Sequence, residues 1–212
     1  MNIAASPPNE VKSAVIQKIL TAAEQEFAER GFDGAGMKAL ATRAGVSQSL
    51  LHYHFGSKDK LYAAVIQSRS TQINTERLNQ LQAVDQAAPD ALEQIFAAMF
   101  RPALGPSGGG RAYARIFAGL IAGNTRDQIL VRENYDETAQ SFIAAIMRCL
   151  DGIDRAAAAH IYLSALGVLA MGLSRDGRAE RLANTSDTKT DEELIMTLVR
   201  FAVGGAKAIH SK

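Results

Sequence analysis

Ala44-Gly45-Val46-Ser47-Gln48-Ser49-Leu50-Leu51-His52-Tyr53-His54-Phe55-Gly56-Ser57-Lys58 is the stretch whose reading decides the fold. Leu40 and the small Ala41 stand just before Gly45, Val46 follows it at once, and Leu51 comes six residues later. That spacing suits two short helices crossing at a glycine corner, the first over roughly Met37 to Ala44 and the second over roughly Gln48 to Phe55. Gly45 can supply the positive φ of the corner, and Ala41 lets the second helix approach closely. The pair reads as a helix-turn-helix whose second helix is placed to enter a DNA groove.

Upstream of the motif, Ile16, Ile19, Leu20, Ala23 and Phe27 form one stripe of an amphipathic helix between Val11 and Arg30, which Gly31 stops. Phe32 to Gly36 then reads as a short linker. Downstream, Ser57 is a cap for a fourth helix carrying Leu61, Ala64, Val65 and Ile73 and reaching Leu81 or beyond. Gln86 to Pro89 interrupts the pattern. A helix over Asp90 to Arg101 follows, with Leu92, Ile95, Phe96, Met99 and Phe100 inward, and Pro102 should end it. The Gly-rich run Gly105 to Gly110 lacks the Lys-Ser/Thr of a phosphate-binding loop and reads as a flexible connector.

Helical patterns resume over Arg111 to Ala122 and over about Asp127 to Leu150. Asp154 is a plausible cap for a helix through Leu173, and Asp191 for a last helix through about Ala208, with a polar linker from Asn184 to Thr190 between them. No strand pattern and no internal repeat interrupts this series. The last two helices are dense in small residues: Ala156 to Ala159, Ala165, Gly167, Ala170 and Gly172, then Ala202, Gly204, Gly205 and Ala206. A helix apolar around most of its circumference needs partners on more than one side, which favours self-association over plain internal core.

Composition bounds the function classes. The 212 residues are 47% hydrophobic and 21% charged, with a formal net charge of +1, an ordinary globular balance that neither supports nor excludes a nucleic-acid partner. The local count is more informative: between Gly36 and Lys60, Lys38, Arg43, Lys58 and Lys60 face only Asp59. Cys149, the single cysteine, excludes an intrachain disulfide and reads as a small core hydrophobe. Met1 to Glu10 lacks the charged start and apolar stretch of a signal peptide and reads as a disordered tail. The apolar run Ile161 to Leu173 is short for a membrane span, so the expected compartment is the cytoplasm. His52 and His54 point roughly 200° apart on a helix and cannot share a metal ion. With no catalytic motif in view, neither cofactor, metal nor enzymatic activity is expected.

On a helical wheel Leu50, Leu51, His54 and Phe55 form one face of the second motif helix and Gln48, Ser49, His52 and Tyr53 the other. Gln48 stands at the N-terminal end that a recognition helix presents to the groove, and its amide can both donate to and accept from the adenine edge. Ser49 and His52 can reach base edges or backbone, and Tyr53 suits the groove wall. Lys58, in the first turn of the next helix, is electrostatically misplaced unless an anion such as phosphate is near.

These residues, from about Ile16 to Ala64, resemble the TetR family of bacterial transcriptional regulators. The likeness lies in Ala41-Thr42-Arg43-Ala44-Gly45-Val46-Ser47, in Leu51-His52-Tyr53-His54-Phe55 and in Ser57-Lys58-Asp59-Lys60-Leu61. Ala35-Gly36 stands where the family often has Thr-Ser, Ser49 replaces a common Gly, and His52 a usual Tyr. The resemblance implies a two-domain helical homodimer whose last two long helices pair in a four-helix bundle. It also implies a ligand cavity in the C-terminal domain and repression relieved when ligand moves the fourth helix.

The expectation is therefore an all-α chain. An N-terminal three-helix helix-turn-helix DNA-binding domain spans residues 11–60, after a tail of residues 1–10. A larger helical effector-binding and dimerisation domain spans 61–212. DNA contact is assigned to Gly36, Lys38, Ser47, Gln48, Ser49, His52, Tyr53, His54 and Lys58. Ligand contact is assigned to Phe96, Met99, Phe100, Phe117 and Phe142 as apolar lining, with Tyr113, Arg115, Arg148 and His160 as polar contacts. The expected partners are a palindromic double-stranded operator, a second copy through about 154–173 and 191–208, and an unknown small-molecule effector. Two other readings stay open: an enzyme or scaffold that carries a DNA-binding module, and an architectural DNA binder without an effector.

Overall fold

A computed structural model describes residues 8–186 and 189–211. These comprise ten α-helices and no strand: α1 (Pro8–Gly34), α2 (Met37–Ala44), α3 (Gln48–Phe55), α4 (Lys58–Gln82), α5 (Ala91–Leu104), α6 (Gly110–Ile121), α7 (Thr125–Cys149), α8 (Arg155–Ser174), α9 (Arg178–Ala183) and α10 (Asp191–His210). The chain is all-α, as its periodicity requires. It divides into two compact units between Ser68 and Arg69, inside α4.

In the first unit α1 begins earlier than its apolar stripe: Pro8 to Glu10 are helical, while Met1 to Pro7 of the expected tail lie outside the described residues. Gly31 breaks the helical geometry with φ 67 and ψ 175, a conformation that costs glycine no Cβ clash. Ile19, Ala23 and Phe27 of the stripe are buried, with Leu40, Ala41, Ala44, Leu51 and Leu61 completing the core. Phe27 meets Tyr62 edge to face at 5.0 Å. Two acids, Glu24 and Glu26, are also buried. Glu26 accepts from Arg43 Nε at 2.8 Å, its other oxygen lies 3.0 Å from Arg30 Nε, and Arg43 also binds Glu29. These pairs tie α2 to α1.

The corner is built as its spacing requires. Gly45 adopts φ 61 and ψ 40, its N–H closes on Thr42 O at 3.1 Å, and Val46 N–H bonds Ala41 O at 3.0 Å. Ser47 Oγ accepts from Leu50 N–H at 3.1 Å and starts α3, and Ser57 Oγ accepts from Lys60 N–H at 3.2 Å at the start of α4.

In the second unit α5, α7, α8 and α10 supply one hydrophobic cluster centred on Ile95, Phe96, Met99, Phe100, Phe142, Ile146, Leu169 and Val199. Several local expectations give way here. Pro102 does not end α5, which continues to Leu104; a proline so near the C-terminus deletes one backbone bond, and Gly105 N–H closes the helix on Arg101 O at 2.8 Å. The Gly-rich run is packed rather than a loose connector. Pro106–Gly108 forms a 3-10 turn, and a Cβ on the buried Gly108 would stand 1.8 Å from Ala103 O. Thr190, not Asp191, caps α10. Its hydroxyl accepts from Glu193 N–H at 3.3 Å while the Glu193 carboxylate accepts from Thr190 N–H at 2.8 Å, and Asp191 instead pairs with Arg175. The short α9 precedes the polar linker, of which residues 187 and 188 lie outside the described residues.

The run Ile161 to Leu173 belongs to a helix of 20 residues, α8, which by length and composition alone is apolar enough to cross a membrane. In this fold its Ala158, Ile161, Tyr162, Ala165, Leu169 and Leu173 are buried as one face. α8 packs on α10 so closely that a Cβ on Gly172 would lie 2.6 Å from Leu198 Cδ1.

Candidate DNA-reading face and buried C-terminal cavity

Each unit presents one arrangement with chemical capacity. In the first, burial divides α3 by face. Leu51 is 0% exposed, Leu50, His54 and Phe55 are half-buried, and Ser47, Gln48, Ser49, His52 and Tyr53 are exposed, Tyr53 to 78%. His52 Nδ1 lies 2.9 Å from Gly56 O. A carbonyl only accepts, so Nδ1 is the donor in this contact and Nε2 faces away from it. Tyr53 and His54 stack edge to face at 5.2 Å. Gly36 caps α2 by backbone alone, with no side chain over the first N–H groups, and Lys38 is exposed in the first turn.

The basic excess around the motif shrinks once contacts are assigned. Arg43 is committed to Glu26 and Glu29. The Lys58 ammonium donates to Phe32 O at 2.9 Å and lies 4.4 Å from the centre of the Phe32 ring. A carbonyl dipole and an aromatic face, rather than an anion, thus receive this ammonium at the helix start. Lys38 and Lys60 keep exposed side chains.

In the second unit the residues expected to contact ligand do not converge. Phe96, Met99, Phe100 and Phe142 are buried in the main cluster, Arg115 is exposed on α6, Arg148 reaches Gln86 on the surface, and His160 is exposed on α8. Tyr113 and Phe117 do meet, at a small cavity of about 10 Å³ that they share with Ile73, Arg77, Ala103, Gly108, Ala114, Tyr135 and Leu173. Its polar groups come from residues that sequence reasoning missed. Arg77, 2% exposed, donates from Nε to Met99 O at 2.9 Å, and the Tyr135 hydroxyl is hydrogen-bonded to that of Tyr113. Burial pushes the Tyr135 hydroxyl from its ordinary 10.0 up to about 12, against smaller lowering effects of the Tyr113 bond and the Arg77 charge. Beside the cavity Asn74 Nδ2 donates to Asn134 O at 2.7 Å and Ser107 Oγ to Glu76 at 2.7 Å. An Arg and a Tyr spaced widely in an amphipathic pattern give no warning that they are inside.

A short helix packed by Leu40, Ala41 and Ala44 and joined at a tight left-handed glycine to a second one with an exposed polar face, on a chain whose remainder is a helical unit with its own core, is the architecture of a helix-turn-helix DNA-binding regulator. Residues 19–65 match the family described as bacterial regulatory proteins, tetR family, and residues 93–205 match the tetracyclin repressor-like C-terminal domain. The chain belongs to the TetR family of bacterial transcriptional regulators. Its C-terminal match replaces the alternative of an enzyme carrying a DNA-binding module with a regulator's own second domain.

The HTH-type transcriptional activator FasR of Mycolicibacterium smegmatis is 50% identical over 50 residues, covering 24% of this chain and 23% of that protein. The HTH-type transcriptional repressor AcnR of Corynebacterium efficiens is 41% identical over 49 residues, covering 23% and 26%. The matched stretch thus spans about a quarter of the length of these curated relatives. The solved TetR-family regulator PfmR from Thermus thermophilus has the same fold, with a TM-score of 0.64 at 17% identity over 87% of this chain and 96% of its own. A TetR-like regulator from Rhodococcus gives 0.66 at 20% identity over 92% and 97%.

Two measurements follow from these sites. Lys58→Met keeps the stem but removes the carbonyl bond and the ring contact, and should lower stability by about 1–2 kcal/mol in thermal denaturation. A purely DNA-contacting Lys58 would leave stability unchanged. Ultraviolet titration of the tyrosines should find a late ionisation, that of Tyr135, at about 12. Because its folded value is raised, its contribution to stability is present below about 10 and is lost as pH climbs toward about 12.

Proposed function

We propose that this regulator is a ligand-responsive repressor that binds a palindromic operator as a homodimer and releases it when a small molecule occupies the C-terminal unit. The carrying observation is α3, whose buried Leu51 face leaves Gln48, Ser49, His52 and Tyr53 together in solvent. In this reading Gln48 reads an adenine edge, Ser49 and the free Nε2 of His52 touch base edges or sugar, and Tyr53 lies on the groove wall. Ser47, Lys38, Gly36 and the half-buried His54 contact or approach the backbone. Lys58 acts chiefly by holding the C-terminal end of α1, with phosphate contact secondary.

Residues 11–60 then carry DNA recognition and 61–212 effector binding and dimerisation, with movement of α4 as the response. The reading assigns the protein to the cytoplasm, with the DNA. Repression is preferred over activation on the family's general behaviour, the similar proteins including both a named activator and a named repressor.

Dimerisation is supported by an apolar stripe left in solvent. Leu163 and Met171 of α8 and Phe201 of α10, 57%, 67% and 70% exposed, lie beside the exposed Gly167, Gly204 and Gly205, so two such faces could approach closely. His160 is exposed on the same helix and is reassigned from ligand contact to this face.

Selection of bound sequences from random duplex DNA should yield an inverted repeat whose half-sites are centred about one helical turn, or a multiple of it, apart. Gln48→Ala should relax one position per half-site, at a cost of about 1–3 kcal/mol. A selection that returns no repeated half-site would refute specific operator binding and favour an architectural role. Phe201→Glu should convert the dimer to monomer in sedimentation and abolish operator binding; a variant that stays dimeric would place the interface elsewhere.

A further inference from the structure

Arg77 is a permanent cation that the fold has taken out of water. Its Nε is satisfied by Met99 O at 2.9 Å, and it forms no ion pair among the described residues. Such burial of an ion without a counter-charge is costly, and one carbonyl uses only one of the five N–H donors of a guanidinium. The cavity that Arg77 lines has no carboxylate in its wall. Its other polar atoms are the paired hydroxyls of Tyr113 and Tyr135, and the rest is Ile73, Phe117, Leu173 and small residues. Burial keeps Tyr135 protonated at neutral pH, so it adds a donor and no negative charge.

We infer that this cavity takes a small monocarboxylate whose carboxylate pairs with the terminal nitrogens of Arg77 and whose apolar body lies against Ile73, Phe117 and Leu173. The inference rests on reading the C-terminal unit as effector-binding. A carboxylate matches the guanidinium fork in two parallel bonds and supplies the counter-charge that the wall lacks. A Tyr hydroxyl can add a further bond to the same oxygens. The present volume of about 10 Å³ has room for about one water molecule, so binding must move a wall. The turn Pro106–Gly108 is that wall. It touches Ala103 through a residue without a side chain and is held by Arg69, which donates to Ser107 O at 3.2 Å, and by the bond from Ser107 to Glu76.

The test uses the full chain with benzoate and octanoate against benzamide and octanamide, and with inorganic phosphate, at matched ionic strength. Binding is read by melting temperature and by intrinsic fluorescence, which in a chain with no Trp and five Tyr reports tyrosine alone. At least one acid should bind tenfold or more tighter than its amide, and Arg77→Met should erase that difference. If Arg77→Met does not fold, the comparison of acid with amide on the unaltered chain decides. Amides binding as well as the acids, phosphate reproducing the whole effect, an Arg77→Met variant binding the acid normally, or no acid binding at all would each overturn the inference. Operator affinity measured alongside separates the two ideas. Arg77-dependent acid binding that leaves the operator bound upholds this inference and refutes the effector reading, whereas release by a neutral compound independent of Arg77 does the reverse.

Discussion

The left-handed turn at Gly45 is the constraint from which the DNA-binding unit follows. With φ 61 at Gly45 the chain leaves the path of α2, and the bond from Val46 N–H to Ala41 O closes the corner before α3 begins at Gln48. A side chain there would be strained by the backbone conformation and would also meet Lys18 Nζ at 3.2 Å. Because the corner is rigid, the single buried Leu51 suffices to set the rotation of α3 about its axis. The exposed polar face is a consequence of that rotation, not of any contact it makes itself.

Charge in this unit serves the fold before it serves any partner. Glu26 is almost wholly buried, and it is tolerable there because Arg43 binds it and Arg30 lies beside it, an arrangement whose disruption would leave a carboxylate without compensation. Lys58 likewise spends its ammonium on Phe32. Counting residues along the sequence overstates the positive field offered to solvent, since two of the four cations in the segment are occupied internally.

What was legible in the sequence was local. The Gly45 corner, the Ser47, Ser57 and Asp154 caps and the apolar stripes depend on residues within a turn or two of one another, and α2, α3, α4 and α8 appear where those patterns put them. Pro102 misled because the cost of a proline depends on how much helix follows it, and here only Ala103 and Leu104 do. Thr190 was missed because Asp191 is an equally good capping residue one position on, and the choice was made by the reciprocal bond to Glu193. The C-terminal cavity was not legible at all. Arg77, Ala103, Tyr113, Tyr135 and Leu173 meet only through packing of elements far apart in the chain, and a buried Arg looks, in a sequence, like any surface one.

The close contact of Gly172 with Leu198 bears on more than the core. By holding α8 against α10 it fixes relative to each other the two helices that carry the exposed Leu163, Met171 and Phe201. The conformational entropy of aligning them is met when the single chain folds, so a partner that docks there encounters a surface already in register and has little left to order.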